Sequence, residues 1–162
     1  MNIENIKMYG KSIHKIDQKS RMAFPARYRL EEGTQIGIIS ENNSFCRAYL
    51  YDKLIQIFET LQKGSYSSVN AEENERILKK VCELLTKVDQ PRQIDSMGRI
   101  TLPHELLKTC DGFPSFCENH STKNRVTLIG EGLGCSIITN EPTLCDYALG
   151  KYGCNIDSYI RK

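Results

Sequence analysis

The chain matches itself once, and that match limits what it can build. Residues 16–29 read Ile-Asp-Gln-Lys-Ser-Arg-Met-Ala-Phe-Pro-Ala-Arg-Tyr-Arg, and residues 94–107 read Ile-Asp-Ser-Met-Gly-Arg-Ile-Thr-Leu-Pro-His-Glu-Leu-Leu. Asp17 falls on Asp95, Arg21 on Arg99 and Pro25 on Pro103, at a constant offset of 78 (95 less 17). A self-match of this kind means that one small supersecondary unit is used twice. Between Arg and Pro the apolar residues alternate, Met22 and Phe24 in one copy and Ile100 and Leu102 in the other, which is the period of a half-buried strand. Each copy therefore reads as strand, tight polar turn, strand, with Asp17 and Asp95 as turn formers.

Proline has no amide hydrogen for a ladder, so Pro25 and Pro103 should end these strands and open short helices over Ala26–Leu30 and His104–Thr109, with Gly33 and Gly112 as stops. Two β-rich runs then follow in each copy: Gln35–Ser40 with Phe45–Tyr51, and Val126–Gly130 with Cys135–Thr139. Asn42-Asn43 and the 130–134 loop supply the turns between them. A helix closes each copy. In the first it spans Asp52–Lys63, with Asp52 placed to cap and Leu54, Ile55, Phe58 and Leu61 on one face; in the second it spans Pro142–Leu149. Between the copies, Ala71–Lys87 carries an apolar face of Ile77, Leu78, Val81, Leu84 and Leu85, and Asn70 with Glu73 forms a capping box. The fold class is α+β and β-rich. The organisation is a first module at 8–64, a connecting helix within 65–90, a second module at 91–150, and terminal extensions at 1–7 and 151–162.

At 162 residues the chain buries a modest core, which favours self-association. Its 22 basic and 20 acidic side chains nearly cancel, so any polyanion site must come from their distribution. Residues 11–29 hold Lys11, Lys15, Lys19, Arg21, Arg27 and Arg29 against Asp17 alone, a local balance of +5, whereas residues 92–108 set Arg92, Arg99 and Lys108 against Asp95 and Glu105, only +1. Lys15, Lys19 and Arg21 flank one turn and can project together toward a phosphate backbone, and a two-stranded ribbon can enter a major groove. Arg21 and Arg99 stand between two roles, a phosphate contact or a pair with the aspartate four residues earlier on the same turn. His14 reads as a satisfied strand residue.

Seven cysteines without any C-x-x-C pair argue against a disulfide scaffold and for reduced, small apolar side chains. Cys117 and His120 could hold two corners of a zinc site, but no second pair is spaced to complete a tetrahedron, so no metal and no cofactor is expected. The 130–134 loop lacks the Lys-Ser/Thr ending and following helix of a phosphate cradle, and no nucleophile signature is present. An enzyme with a small-molecule substrate is not expected. No run of about 18 apolar residues exists and the start lacks an apolar signal stretch, so the expectation is a cytoplasmic protein without membrane association.

These residues resemble the MraZ family of bacterial transcriptional regulators, whose members carry two modules related to the AbrB swapped-hairpin fold. Gly10, His14, Ile16-Asp17, Lys19, Arg21, Pro25-Ala26 and Arg29 follow the run G-x-x-x-H-x-L-D-x-K-G-R-x-x-x-P-A-x-x-R, and residues 94–103 follow L-D-x-x-G-R-h-x-h-P. The likeness spans about residues 8–150. It implies two tandem swapped-hairpin β-barrel modules and a ring-like homo-oligomer, nucleoid-associated, that binds repeated operator elements in double-stranded DNA ahead of the division and cell-wall gene cluster. Carried over by position, it implies DNA contacts from Lys15, Lys19, Arg21 and Arg29 in the first copy and Arg92 and Arg99 in the second. Ser20 stands where the family turn has glycine, which strains the loop if that position needs a positive φ. The 111–124 loop is longer than the family pattern, and the tail after Tyr152 is additional. The alternative from another class is an antitoxin-like module that uses the same fold to clasp another protein.

Overall fold

The computed structural model describes residues 8–63, 71–88, 90–107 and 125–151. The Asn70 cap, the Gly64 and Gly112 stops, the Cys117/His120 pair, the 111–124 loop, the end of the second short helix and residues 1–7 and 152–162 lie outside them.

The described residues hold eight strands, β1 (Lys11–Lys15), β2 (Arg21–Ala23), β3 (Gln35–Asn42), β4 (Phe45–Leu50), β5 (Arg92–Gln93), β6 (Arg99–Thr101), β7 (Arg125–Gly130) and β8 (Gly134–Ile138); burial alternates along β1, β2 and β6, whereas β4 and β8 are buried at every position. The helices are α1 (Tyr51–Gln62), α2 (Ala71–Lys87), α3 (His104–Leu107) and α4 (Glu141–Ala148), with a 3-10 turn at Ala26–Tyr28. Six strands form one antiparallel sheet in the order β1-β7-β8-β4-β3-β5, which curls strongly into a half-barrel, and β2 pairs with β6 in a separate ribbon. The architecture is thus α+β and β-rich.

The first strand and the strand after its turn do not form the hairpin ladder that the sequence suggests. β1 pairs along its whole length with β7, from Lys11 opposite Ile129 to Lys15 opposite Arg125, and β2 pairs with β6. A single bridge, Ile16 to Met22, joins the two arms. The physical reason is that each arm finds its ladder in the other copy. The three-residue β2 has an antiparallel mate of equal length in β6, and their ladder pairs amides that so short a strand would otherwise leave open.

The pairing has an internal two-fold. β1 corresponds to β5, β2 to β6, β3 to β7, β4 to β8 and α1 to α4, and exchanging each strand for its counterpart gives the same sheet order read backwards. The local axis passes between Met22 and Ile100, directly opposite and 78 apart (100 less 22). It passes again between Arg47 and Ser136, opposite each other on β4 and β8. Among the described helices α2 has no counterpart.

The concave side of the sheet closes over Met8, Ile16, Met22, Ile36, Ile94, Ile100, Leu128 and Ile137, so apolar residues of both copies share one core. A second cluster joins Ile39, Tyr49 and Leu133 to Leu54, Ile57 and Leu61 of α1 and Ile77, Val81 and Leu84 of α2. Ile57, not Ile55, completes the buried face of α1. Asp52 does not cap this helix: Leu50 occupies the cap position without a side-chain bond, because the chain turns straight from β4 into the helix and leaves Asp52 in its first turn. The cap on α4 is a side-chain one, Asn140 accepting the Thr143 amide at 3.0 Å. Both prolines act as expected. The Pro25 carbonyl accepts the Tyr28 amide at 3.0 Å and the Pro103 carbonyl accepts the Leu106 amide at 3.2 Å, so each opens one short turn.

Cys46 and Cys135 are fully enclosed at the centre of the sheet, and burial pushes the Cys46 thiol up to about 12 and the Cys135 thiol well above its ordinary value. Cys82 and Cys145 are exposed. Thiolate is the reactive form. A maleimide added to the folded protein should therefore label Cys145 quickly and Cys46 and Cys135 only after denaturation, as read by peptide mass spectrometry; early labelling of Cys46 would contradict the packing of β4 against β8.

Candidate functional site

Each repeated turn is organised by its aspartate. Asp17 Oδ1 accepts the amides of Lys19 and Arg21, both at 2.9 Å, and Oδ2 accepts Arg21 Nε at 2.8 Å. Asp95 does the same: Oδ1 accepts the amides of Met97 and Arg99 at 2.9 Å, and Oδ2 accepts Arg99 Nε at 2.9 Å. The backbone closes both turns identically, with Ser20 N–H to the Asp17 carbonyl and Gly98 N–H to the Asp95 carbonyl at 3.0 Å. An aspartate that bonds the chain two residues on is the side-chain mimic of a backbone turn. Donors crowd each carboxylate, so both titrate below the ordinary 3.8; the largest cause is the Arg21 amide for Asp17 and the Arg99 amide for Asp95. With the folded value depressed, the staple is intact above about pH 4 and is lost as pH falls through the lowered value.

The two turns also hold each other. The Leu102 amide donates to the Ser20 carbonyl at 2.8 Å, and the Phe24 amide donates to the Gly98 carbonyl at 3.0 Å. The turns therefore flank a ribbon three residue pairs long, so close that Arg99 Nη1 lies 3.8 Å from Asp17 Oδ2. Beneath Met22 and Ile100, both fully buried, the ribbon is anchored in the shared core.

Lys15, Arg21 and Arg99 are brought together around one cleft of about 570 Å³ beside Asp17 and Gln18. Lys19 is exposed on the turn that forms its rim, and no ion pair among the described residues engages Lys15 or Lys19. The pairing of Arg21 and Arg99 with their own aspartates, which the sequence left open, is present in both turns; their side chains still keep 28% and 29% of their surface exposed. Arg29 and Arg92 are not part of this group. Arg29 sits past the 3-10 turn in left-handed backbone, φ 50°, and is exposed. Arg92, on β5, donates through Nη1 to the Thr101 carbonyl and lines a different cleft with Lys87, Pro91 and Pro103. His14 lies half-buried on β1 with Nε2 2.6 Å from Ser12 Oγ, and burial followed by the charge of Arg27 lowers its pKa, which leaves it neutral at pH 7.

Sequence reasoning missed the reciprocal latch, because backbone bonds between copies leave no residue signature. It gave Arg27 only as one charge of the basic stretch. Arg27 Nε instead donates to the Tyr9 carbonyl at 3.0 Å and the guanidinium lies 5.6 Å from the Tyr28 ring, bracing Gly10 against the 3-10 turn. The second turn is not a chemical copy of the first. Met97, 69% exposed, occupies the position of Lys19 (97 less 78).

Among the described residues no three metal-ligating side chains converge, and no helix is long and apolar enough to cross a membrane. No family model matches the sequence, and no curated protein matches it.

Ser20 does adopt left-handed backbone, φ 64°, where its counterpart Gly98 has φ 74°. A residue with a Cβ is penalised there by roughly 1–2 kcal/mol, and glycine gives back about half of that as extra freedom in the unfolded chain. Ser20→Gly should stabilise the protein by up to about 1 kcal/mol. Gly98→Ala, whose Cβ would meet nothing within 4 Å, should destabilise it by about as much through backbone strain alone. Urea midpoints at unchanged m-value measure both, and a Ser20→Gly protein less stable than wild type would show that the Ser20 hydroxyl matters more than its φ.

Proposed function

We propose that this chain is a transcriptional regulator that binds double-stranded DNA through its paired turns, acts as a homo-oligomer and catalyses no reaction. The observation that carries this reading is the ribbon flanked by two mutually latched turns, with Lys15 and Lys19 exposed beside it. A rigid ribbon of this kind can place cations at fixed spacing along a phosphate backbone, since neither turn can move without the other. The interleaving of strands from the two copies supports reading them as two AbrB-type swapped-hairpin modules within one chain, and with the motif resemblance it supports membership of the MraZ family. On that reading the protein is cytoplasmic and nucleoid-associated, and its operator consists of repeats ahead of the division and cell-wall gene cluster.

Charge decides how the site must be used. Arg21 is neutralised by Asp17 and Arg99 by Asp95, so Lys15 and Lys19 carry the net positive charge at the ribbon. Two phosphates' worth of counterion release is too little for tight binding by one chain. Joining several chains makes later contacts intramolecular and raises avidity by roughly 10² to 10⁴ when the DNA repeats match the spacing. Arg21 and Arg99, held by Nε, are positioned so that the remaining guanidinium edge can meet a phosphate or a guanine.

The test is fluorescence anisotropy with a repeat-containing duplex at several salt concentrations. Lys15→Ala/Lys19→Ala keeps both Asp-Arg staples; it should weaken binding to all sequences and lower the slope of log K against log salt by about 2 per bound chain. Unchanged affinity and slope in that variant would remove the site assignment. A co-purifying polypeptide without any salt-sensitive DNA complex would favour the protein-clasping module instead.

A further inference from the structure

The connecting helix α2 packs on α1 through Ile77, Val81 and Leu84 and leaves a second face uncovered. That face and Phe58 of α1 enclose a groove of about 630 Å³ whose floor is Phe58, Leu78 and Cys82. Its charged rim follows one helical ridge at intervals of four: Glu75, Lys79, Glu83 and Lys87. No ion pair among the described residues uses any of these four. The signs alternate minus, plus, minus, plus, and the same series read in reverse is its own complement. We propose that this face is an isologous interface which takes a second copy of the chain, with the two α2 helices antiparallel.

The antiparallel sense follows from the charges. In a parallel pair Glu75 would face Glu75 and Lys79 would face Lys79, like charges at every step. In the antiparallel pair Glu75 faces the partner's Lys87 and Lys79 faces the partner's Glu83, so the two-fold repeats each contact and its axis crosses the helix between Lys79 and Glu83. Leu78 and Phe58, both half-buried in the single chain, are then covered by the partner's helix and lose their remaining water contact. Helix α2 is also the described helix without an internal counterpart, and none of the residues that line the groove belongs to the paired turns. The interface does not depend on the DNA-binding reading.

Light scattering of the full chain across a wide concentration range tests the proposal with three proteins. Wild type should reach an even-numbered mass. Lys79→Glu should raise the dissociation constant of the α2 contact roughly tenfold or more, because the two-fold turns one changed residue into two like-charge contacts. Lys79→Glu/Glu83→Lys should restore wild-type association, since the exchanged signs remain complementary. Both positions of change, Lys79 and Glu83, are exposed, so folding is checked simply by an unaltered circular dichroism spectrum. A bismaleimide cross-link between Cys82 of two chains, seen in wild type and lost in Lys79→Glu, provides a second readout. A monomer at every concentration overturns the proposal, and so does an oligomer whose mass and Cys82 cross-link are indifferent to Lys79→Glu.

Discussion

Neither copy of the repeat satisfies its own backbone. β2 and β6 are three residues long, too short to stand alone, and each supplies the other's ladder; β1 lies on β7 and β5 on β3. Buried amides without partners are costly, so the exchange of strands is the condition on which the molecule folds. Everything at the candidate site inherits from it. The turn of one copy is fixed by a bond to the strand of the other, Ser20 to Leu102 and Gly98 to Phe24, which means the spacing between the two turns is set by the shared core and not by either turn's own sequence. A change in one copy is therefore felt in both.

On this symmetric frame the chemistry is unequal. Lys19 has Met97 as its counterpart, Ser20 has Gly98, His14 has Arg92 and, at the axis, Arg47 faces Ser136. The frame keeps what both turns require, an aspartate to organise the loop and an arginine to close it, and leaves the outward positions free to differ. Arg47 and Ser136 show the same division in the sheet. Arg47, almost wholly buried, pairs with Glu41 at 3.4 Å and lies 5.2 Å from the Phe45 ring, whereas Ser136 Oγ donates to Glu131 Oε1 at 2.5 Å and Glu131 also accepts the Tyr147 hydroxyl at 2.9 Å. Each copy thus sets one carboxylate against its fourth strand, Glu41 on Arg47 and Glu131 on Ser136, with different partners.

How much of this was legible in the sequence follows from what each signal encodes. The turns were, because Asp17 and Asp95 act on amides two and four residues away, within the reach of a local pattern. Strand positions were, because Met22, Phe24, Ile100 and Leu102 alternate; the prolines gave the short turns after them. The partners of those strands were not. A duplicated strand-turn-strand pattern is the same whether each arm pairs within its copy or with the other, and only the three-dimensional fit distinguishes the two. The contact of Arg27 was hidden for a related reason: its Nε reaches the carbonyl of Tyr9, eighteen positions earlier, which spacing cannot announce. Arg29 and Arg92 were named only by resemblance, in the first and second copy respectively, and no spacing in the sequence tells that Arg29 follows the 3-10 turn and that Arg92 lines a cleft with Lys87 and Pro103.

The helix between the copies explains why the symmetry can coexist with a single chain. The chain must travel from the end of α1, which belongs to the first copy, to β5 on the far edge of the sheet, and α2 makes most of that journey while burying Ile77, Val81 and Leu84 against α1 and Ile39. An isolated helix of 17 residues is marginal in water, so this packing is what makes it a helix. The burial uses one face only. The opposite face carries charges at the i, i+4 spacing that supports a helix by itself, Glu75 before Lys79 and Glu83 before Lys87. That support requires no apolar residue beside it, and the floor of Phe58 and Leu78 along the same ridge is what a connector needed only for its length would lack.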